Sequence, residues 1–80
     1  MNVERLVAMV NDIAAFFAAE AGPGAPAAVA GHLRRFWDPR MRSQIIAAFR
    51  DDPSSLRNLS DTGRAAIAEL AQAAETTKAI

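Results

Sequence analysis

The sequence lacks cysteine altogether and contains a single histidine, His32. Without thiols, the chain cannot form a disulfide, hold a metal through thiolates or use a cysteine nucleophile. One imidazole is too few for a histidine-rich metal site. The absence of cysteine is also expected of a cytoplasmic protein, because stable disulfides belong to oxidising compartments.

An excess of charge of one sign is missing as well, since nine Lys/Arg balance nine Asp/Glu. A nucleic-acid-binding module usually carries a clear basic excess, so this balance disfavours one. Lys78 is the one lysine, and the other eight basic residues are arginine. Such a bias is typical of fixed, planar interface contacts, and equally of a protein from a GC-rich genome.

No apolar run reaches the roughly 20 residues that a membrane-spanning helix needs. The N-terminus carries Asn2, Glu4 and Arg5 instead of a basic stretch followed by an apolar block, so we expect no secretory signal. With 80 residues, the chain is expected to form one domain with a small core. Domains of this size are marginally stable and often depend on a partner.

What the sequence does contain is helical periodicity. Apolar residues recur at three- and four-residue spacing in four segments, and no segment reads convincingly as a strand. Asn2 and Ser60 are good N-caps, and Gly22, Pro23 and Gly24 break the chain between the first two segments. We therefore predict an all-α fold, a small bundle of three to four helices in one domain spanning 1–80, with helices at about 3–20, 26–37, 39–50 and 61–75.

The tripeptide WDP at 37–39 predicts a tight corner between the second and third helices. A residue before proline avoids the helical region. Asp38 can therefore end one helix and cap the next, with Pro39 at the first helical position. A second Asp-Pro pair at 52–53 predicts one short helical turn.

Each predicted helix has an apolar stripe that would face a core. In the second helix, we expect Phe36 and Trp37 on the buried stripe, and Arg34 and Arg35 on the opposite side. Three apolar residues lie on shoulders beside the stripes and indicate a second apolar surface: Met9, Phe16 and Ile46.

Motifs for catalysis or cofactor binding are absent from the sequence. It has no P-loop, no dinucleotide-binding glycine motif, no zinc-protease motif and no paired cysteines. Asp51 and Asp52 are adjacent at a predicted helix end, where caps or a solvated turn explain them better than catalysis does. His32 has no carboxylate at helical spacing to make it a general base. We assign no catalytic, cofactor-binding or metal-binding residue to this chain.

The segment HLRRFWDPRMR at 32–42 concentrates arginine and aromatic residues. Arginine beside aromatics can bind nucleic acid, but the balanced charge and the predicted burial of the aromatics disfavour this. Interface cores favour Trp, Phe, Met and Arg, so a protein interface is the better explanation, with either a second copy or a larger partner. The candidate interface residues are His32, Arg34, Arg35, Phe36, Trp37, Asp38, Arg40, Met41 and Arg42, with Met9, Phe16 and Ile46 as weaker candidates.

The same segment resembles the delta subunit family of bacterial NAD-dependent formate dehydrogenase, and RFWDPRM at 35–41 is its most specific part. The similarity extends to RLVAMVNDIAAFFAA at 5–19 and to LSDTGRAAIAEL at 59–70, which look like the family's first and closing helices. Together, these segments cover most of the chain in the expected order.

The resemblance implies a small, non-catalytic accessory subunit of a soluble cytoplasmic complex. The alpha subunit of that complex carries a molybdenum or tungsten pterin centre and iron–sulfur clusters, and the beta and gamma subunits carry flavin and further clusters and reduce NAD. The delta chain is expected to hold no redox cofactor, to dock on alpha, and to support its assembly, stability or cofactor maturation. We expect neither nucleic acid nor a membrane as partner, and leave self-association of the isolated chain open.

Overall fold

The computed structural model describes the chain over residues 2–79, and its side chains over residues 2–74. These residues form four α-helices and two short 3₁₀ turns, and the part of the chain that is described contains no strand. The all-α prediction is confirmed. The helices are α1 (Val3–Ala21), α2 (Ala25–Phe36), α3 (Pro39–Asp51) and α4 (Asp61–Ala79), and the 3₁₀ turns span Gly22–Gly24 and Pro53–Leu56.

Polar caps fix the starts of α1 and α4 as the sequence predicts. The Asn2 Oδ1 atom accepts a hydrogen bond from the Arg5 backbone N–H at 2.8 Å, and the Ser60 Oγ atom accepts one from the Gly63 N–H at 3.0 Å. These side chains satisfy N–H groups that have no partner inside the helix. Helix α4 continues to Ala79, beyond the predicted end near residue 75.

The break between α1 and α2 is a single 3₁₀ turn, Gly22–Gly24. Gly22 has a positive φ of 53°, which a glycine adopts without the steric strain that a side chain would cause. Pro26 lies in the first turn of α2, where its missing N–H removes no helical hydrogen bond. The turn therefore folds α2 back against α1.

The corner between α2 and α3 consists of two extended residues, Trp37 and Asp38. The Asp38 Oδ1 atom accepts a hydrogen bond from the Arg40 N–H at 2.7 Å, and Pro39 is the first residue of α3. The capped Asp-Pro corner predicted from the sequence is confirmed. With no loop to absorb motion, it fixes the direction of α3 relative to α2.

The core is apolar throughout the described residues and draws on every helix. Leu6 and Val10 of α1, Leu33 of α2, Ile45 of α3 and Ile67 of α4 are fully buried and belong to one cluster. Helix α2 packs extensively against both α4 and α1, and α3 packs against α1, α4 and the second 3₁₀ turn. The second turn adds Leu56, and the residues after it add Leu59.

One asparagine joins distant parts of the chain. The Asn11 Nδ2 atom of α1 donates to the Asn58 carbonyl at 2.9 Å, and its Oδ1 atom accepts from the Ser60 N–H at 2.8 Å. Both partners belong to the irregular segment that precedes α4. This side chain therefore satisfies a backbone segment that lies in no helix.

We expect Asn11→Ala to lower the free energy of unfolding by about 1–2 kcal/mol, because it removes two hydrogen bonds that join α1 to the segment before α4. Urea denaturation followed by circular dichroism measures this loss. Asn58→Ala is the matched control, since it keeps the backbone carbonyl that Asn11 contacts. Equal stability of the Asn11→Ala variant and the unchanged chain would contradict this role.

By length and composition alone, one stretch of the described residues, Val3–Phe36, could cross a membrane. An 18-residue window of this stretch has a mean hydropathy of 1.3. Alanine, valine and phenylalanine raise the mean without forming an uninterrupted run. A core helix and a signal sequence meet the same criterion, so the finding assigns no location.

Candidate interaction surface

The two adjacent aromatics of the corner have opposite environments. Trp37 is 6% exposed and belongs to the core, whereas Phe36 is 70% exposed. The prediction that both lie on a buried stripe, in a helix reaching Trp37, is therefore wrong for Phe36. Helix α2 ends at Phe36, so no further helical turn covers its ring, while the extended backbone of Trp37 places its indole in the core.

Phe36 belongs to a row of four aromatic rings that crosses from α1 to α2. We call Phe16, Phe17, His32 and Phe36 the aromatic row. The ring centroids lie 5.1 Å apart for Phe16 and Phe17, 6.0 Å apart for Phe17 and His32, and 4.8 Å apart for His32 and Phe36. Phe16 is 59% exposed, so both ends of the row face solvent. Large exposed aromatics in one contiguous patch are typical of an interaction site.

A hollow of about 390 Å³ lies beside the row and opens to solvent. Among the described residues, its walls combine aromatic rings and small residues with one charged side chain, that of the exposed Arg35. The hollow is lined by Phe17, Ala28, Gly31, His32, Arg35 and Phe36.

The guanidinium of Arg42 donates to backbone carbonyls of its own chain. Its Nη1 atom donates to the carbonyls of Trp37 at 2.6 Å, Arg34 at 3.1 Å and Leu33 at 3.4 Å. The last carbonyls of a helix lack intrahelical partners, and an arginine placed here satisfies them. Arg42 thus ties the start of α3 to the end of α2 and holds the corner closed.

Two other arginines also donate hydrogen bonds to backbone carbonyls of other elements. Arg50 Nη2 donates to the Ala71 carbonyl at 3.0 Å, and Arg64 Nη2 donates to the Leu56 carbonyl at 2.9 Å. Each joins elements distant in sequence. The arginine bias of the composition is therefore explained in part by internal contacts to carbonyls, which the planar guanidinium suits.

Arg34, Arg35 and Arg40 are exposed, and none of the described residues accepts a hydrogen bond or ion pair from their guanidinium groups. Arg34 and Arg35 lie in the last turn of α2, and Arg40 lies in the first turn of α3. No acidic residue lies within α2. The three arginines therefore give this end of the molecule a positive charge without an internal partner in the described part of the chain.

Of the remaining predicted interface residues, some lie at the surface and others pack within the fold. His32 is half-buried in the aromatic row. Asp38 is exposed but already caps α3, and Met41 is half-buried against the core, as Met9 and Ile46 are. The structure thus brings together His32, Arg35 and Phe36, with Phe16 joining them through Phe17.

Comparison with protein families identifies a family that the chain matches over most of its length. The family model described as the NADH-dependent formate dehydrogenase delta subunit, FdsD, matches residues 5–75. The chain belongs to this family. It is therefore a formate dehydrogenase delta subunit, and the family's name implies membership of a multi-subunit complex. Comparison with curated proteins and with solved structures gives no match.

Sequence reasoning missed Phe17 and Gly31 as parts of this delta-subunit surface. They lie on different helices, and their proximity depends on how the Gly22–Gly24 turn folds α2 against α1. One local signal was available, because a glycine inside a helical pattern needs a packing or functional reason.

Proposed function

We propose that this delta subunit is a non-catalytic accessory chain that docks on the catalytic alpha subunit through the end of α2 and the α2–α3 corner. The observation that carries the proposal is an exposed aromatic row that ends at Phe36, next to a corner whose Arg34, Arg35 and Arg40 guanidinium groups have no partner among the described residues, on a chain of this family. Aromatic and arginine side chains dominate the energetically important contacts of protein interfaces.

Within this surface, the residues divide into contacts and supports. Arg34, Arg35 and Arg40 donate directional hydrogen bonds to carboxylates and carbonyls of the alpha subunit. Phe36 provides an apolar contact that is already exposed in the free chain. The corner is held in place for docking by Trp37, Asp38, Met41 and Arg42.

In this proposal, the redox chemistry belongs to the partner subunits. The molybdenum or tungsten pterin, iron–sulfur clusters, flavin and NAD are bound by the alpha, beta and gamma subunits, in a cytoplasmic complex. The delta chain has no cysteine to ligate an iron–sulfur cluster, which supports this division. Its contribution is to the assembly, stability or cofactor maturation of the alpha subunit.

We expect the double variant Arg34→Ala/Arg35→Ala to recover roughly tenfold less alpha subunit when the tagged delta chain is purified from its native host. The reason is the loss of charge-assisted hydrogen bonds at the interface. Quantitative mass spectrometry of the eluate measures the ratio of alpha to delta. Circular dichroism is expected to show unchanged helix content, because neither guanidinium has a hydrogen-bond or ion-pair partner among the described residues.

The matched control is Arg5→Ala/Arg57→Ala, which also removes two exposed arginines but lies outside the α2–α3 corner. It should recover alpha as the unchanged chain does. Equal recovery by all three chains would overturn the assignment of this surface, and repeated absence of alpha from the unchanged chain's eluate would overturn the proposed function.

A further inference from the structure

The glycine in the middle of α2 has no explanation within the fold of the described residues. Gly31 is helical, its φ is not positive, and a Cβ atom built on it would meet nothing within 4 Å. Glycine is the poorest helix former after proline, so the position costs helix stability. At Gly63, by contrast, a Cβ atom would meet the Val10 side chain at 3.0 Å, so close packing within the fold accounts for that glycine.

The open space above Gly31 is the hollow beside the aromatic row. Because Gly31 lines the hollow and has open space beside it, a larger side chain at position 31 would occupy part of the hollow. The hollow has apolar walls from Phe17 and Phe36 and opens to solvent, so it can receive a side chain that protrudes from another protein.

Resting on the proposed function, we infer that this hollow is the acceptor for an apolar side chain of the alpha subunit that lies next to a carboxylate. The apolar side chain enters above Gly31 between Phe17 and Phe36. The carboxylate pairs with the guanidinium of Arg35 at the rim. The aromatic row then forms one wall of a specific binding pocket rather than a non-specific hydrophobic surface.

Charge complementarity identifies the occupant as an acidic partner surface rather than a second delta chain. Of the described residues that line the hollow, Arg35 alone is charged, and α2 carries no acid. In a symmetric dimer, the same patch would face itself, so each copy would bring its own arginines to the contact. Like charges placed opposite each other disfavour that pairing.

The test fills the hollow without disturbing the fold. Purified delta chains are titrated onto formate dehydrogenase complex isolated from a strain that lacks delta, and the dissociation constant is measured by biolayer interferometry. We expect Gly31→Leu to bind about tenfold more weakly or worse, while melting at or above the temperature of the unchanged chain. Gly31→Ala, which barely enters the hollow, should bind within about threefold of the unchanged chain.

Two matched controls separate the hollow from general surface effects. Ala65→Leu places the same leucine side chain at an exposed position of α4 and should leave binding unchanged. Arg35→Glu should weaken binding at least as much as Gly31→Leu. Arg57→Glu makes the same charge change directly after the second 3₁₀ turn and should have little effect on binding.

The outcomes distinguish this inference from the proposed function. If the unchanged chain binds and Gly31→Leu binds equally well, the hollow is not the acceptor and the inference is overturned, although docking on the complex stands. If the unchanged chain does not bind, both fail. Loss of self-association in sedimentation of Gly31→Leu, with binding to the complex intact, would assign the hollow to a second copy and also overturn the inference.

Discussion

Replacing Trp37 by alanine is expected to lower the free energy of unfolding by about 3–5 kcal/mol. Trp37 is 6% exposed and closes the corner between α2 and α3 within the core cluster. Truncation removes its buried apolar surface and leaves a cavity that a corner without a loop cannot collapse to fill. A domain of this length has roughly 4–12 kcal/mol of stability, so the variant loses a large share of it.

Thermal denaturation followed by circular dichroism measures this effect. For a domain of this size, such a loss lowers the melting temperature by roughly 20 °C. Phe36→Ala is the matched control, because it truncates the neighbouring aromatic, which is 70% exposed and lies outside the core. We expect it to cost less than about 1 kcal/mol. Similar losses for the two variants would contradict the separation of one core aromatic from one surface aromatic.

Replacing Gly63 by valine is expected to cost about 2–3 kcal/mol through overpacking. A Cβ atom there would lie 3.0 Å from the Val10 side chain, 3.1 Å from the Ser60 Oγ and 3.2 Å from the Leu59 side chain. The two γ-carbons of valine would add to this crowding. Because the Ser60 hydroxyl also caps α4 through the Gly63 N–H, any shift that relieves the clash weakens the cap.

Urea denaturation compares Gly63→Val with Gly31→Val, which makes the same substitution in the other helical glycine. We expect the Gly31 variant to be no less stable than the unchanged chain, because space is open there and valine is a better helix former than glycine. Equal destabilisation at the two positions would contradict this prediction. It would mean that the loss of glycine's backbone freedom, and not packing at the start of α4, lowers the free energy of unfolding.

The helices, their caps and the Asp-Pro corner could be predicted because local chemistry decides them. Asn2 and Ser60 contact N–H groups three residues away, and Asp38 contacts one two residues away. Contacts between residues this close in sequence can be recognised from local sequence patterns. Helical periodicity likewise indicates which residues of each helix face the core, as for Leu33 and Ile45.

The surface could be predicted only in part, because it depends on how the helices come together. Phe36 follows the helical stripe, yet its ring lies outside the core because α2 ends there. Arg42 reads as an interface arginine, but the corner brings it back to the carbonyls of Leu33, Arg34 and Trp37. The partner of Asn11 lies 47 residues away, which no local pattern indicates.

The central claim is that the end of α2 contacts the catalytic subunit of formate dehydrogenase. In-cell photo-cross-linking tests it most directly, with p-benzoylphenylalanine in place of Phe36 and, as a control, in place of the exposed Ala65 of α4. The exposed position of Phe36 allows the larger ring without disturbing the core. We predict that position 36 cross-links to the alpha subunit and that position 65 does not. A cross-link from position 36 to a second delta chain, or none to alpha in cells that assemble the complex, would contradict the account.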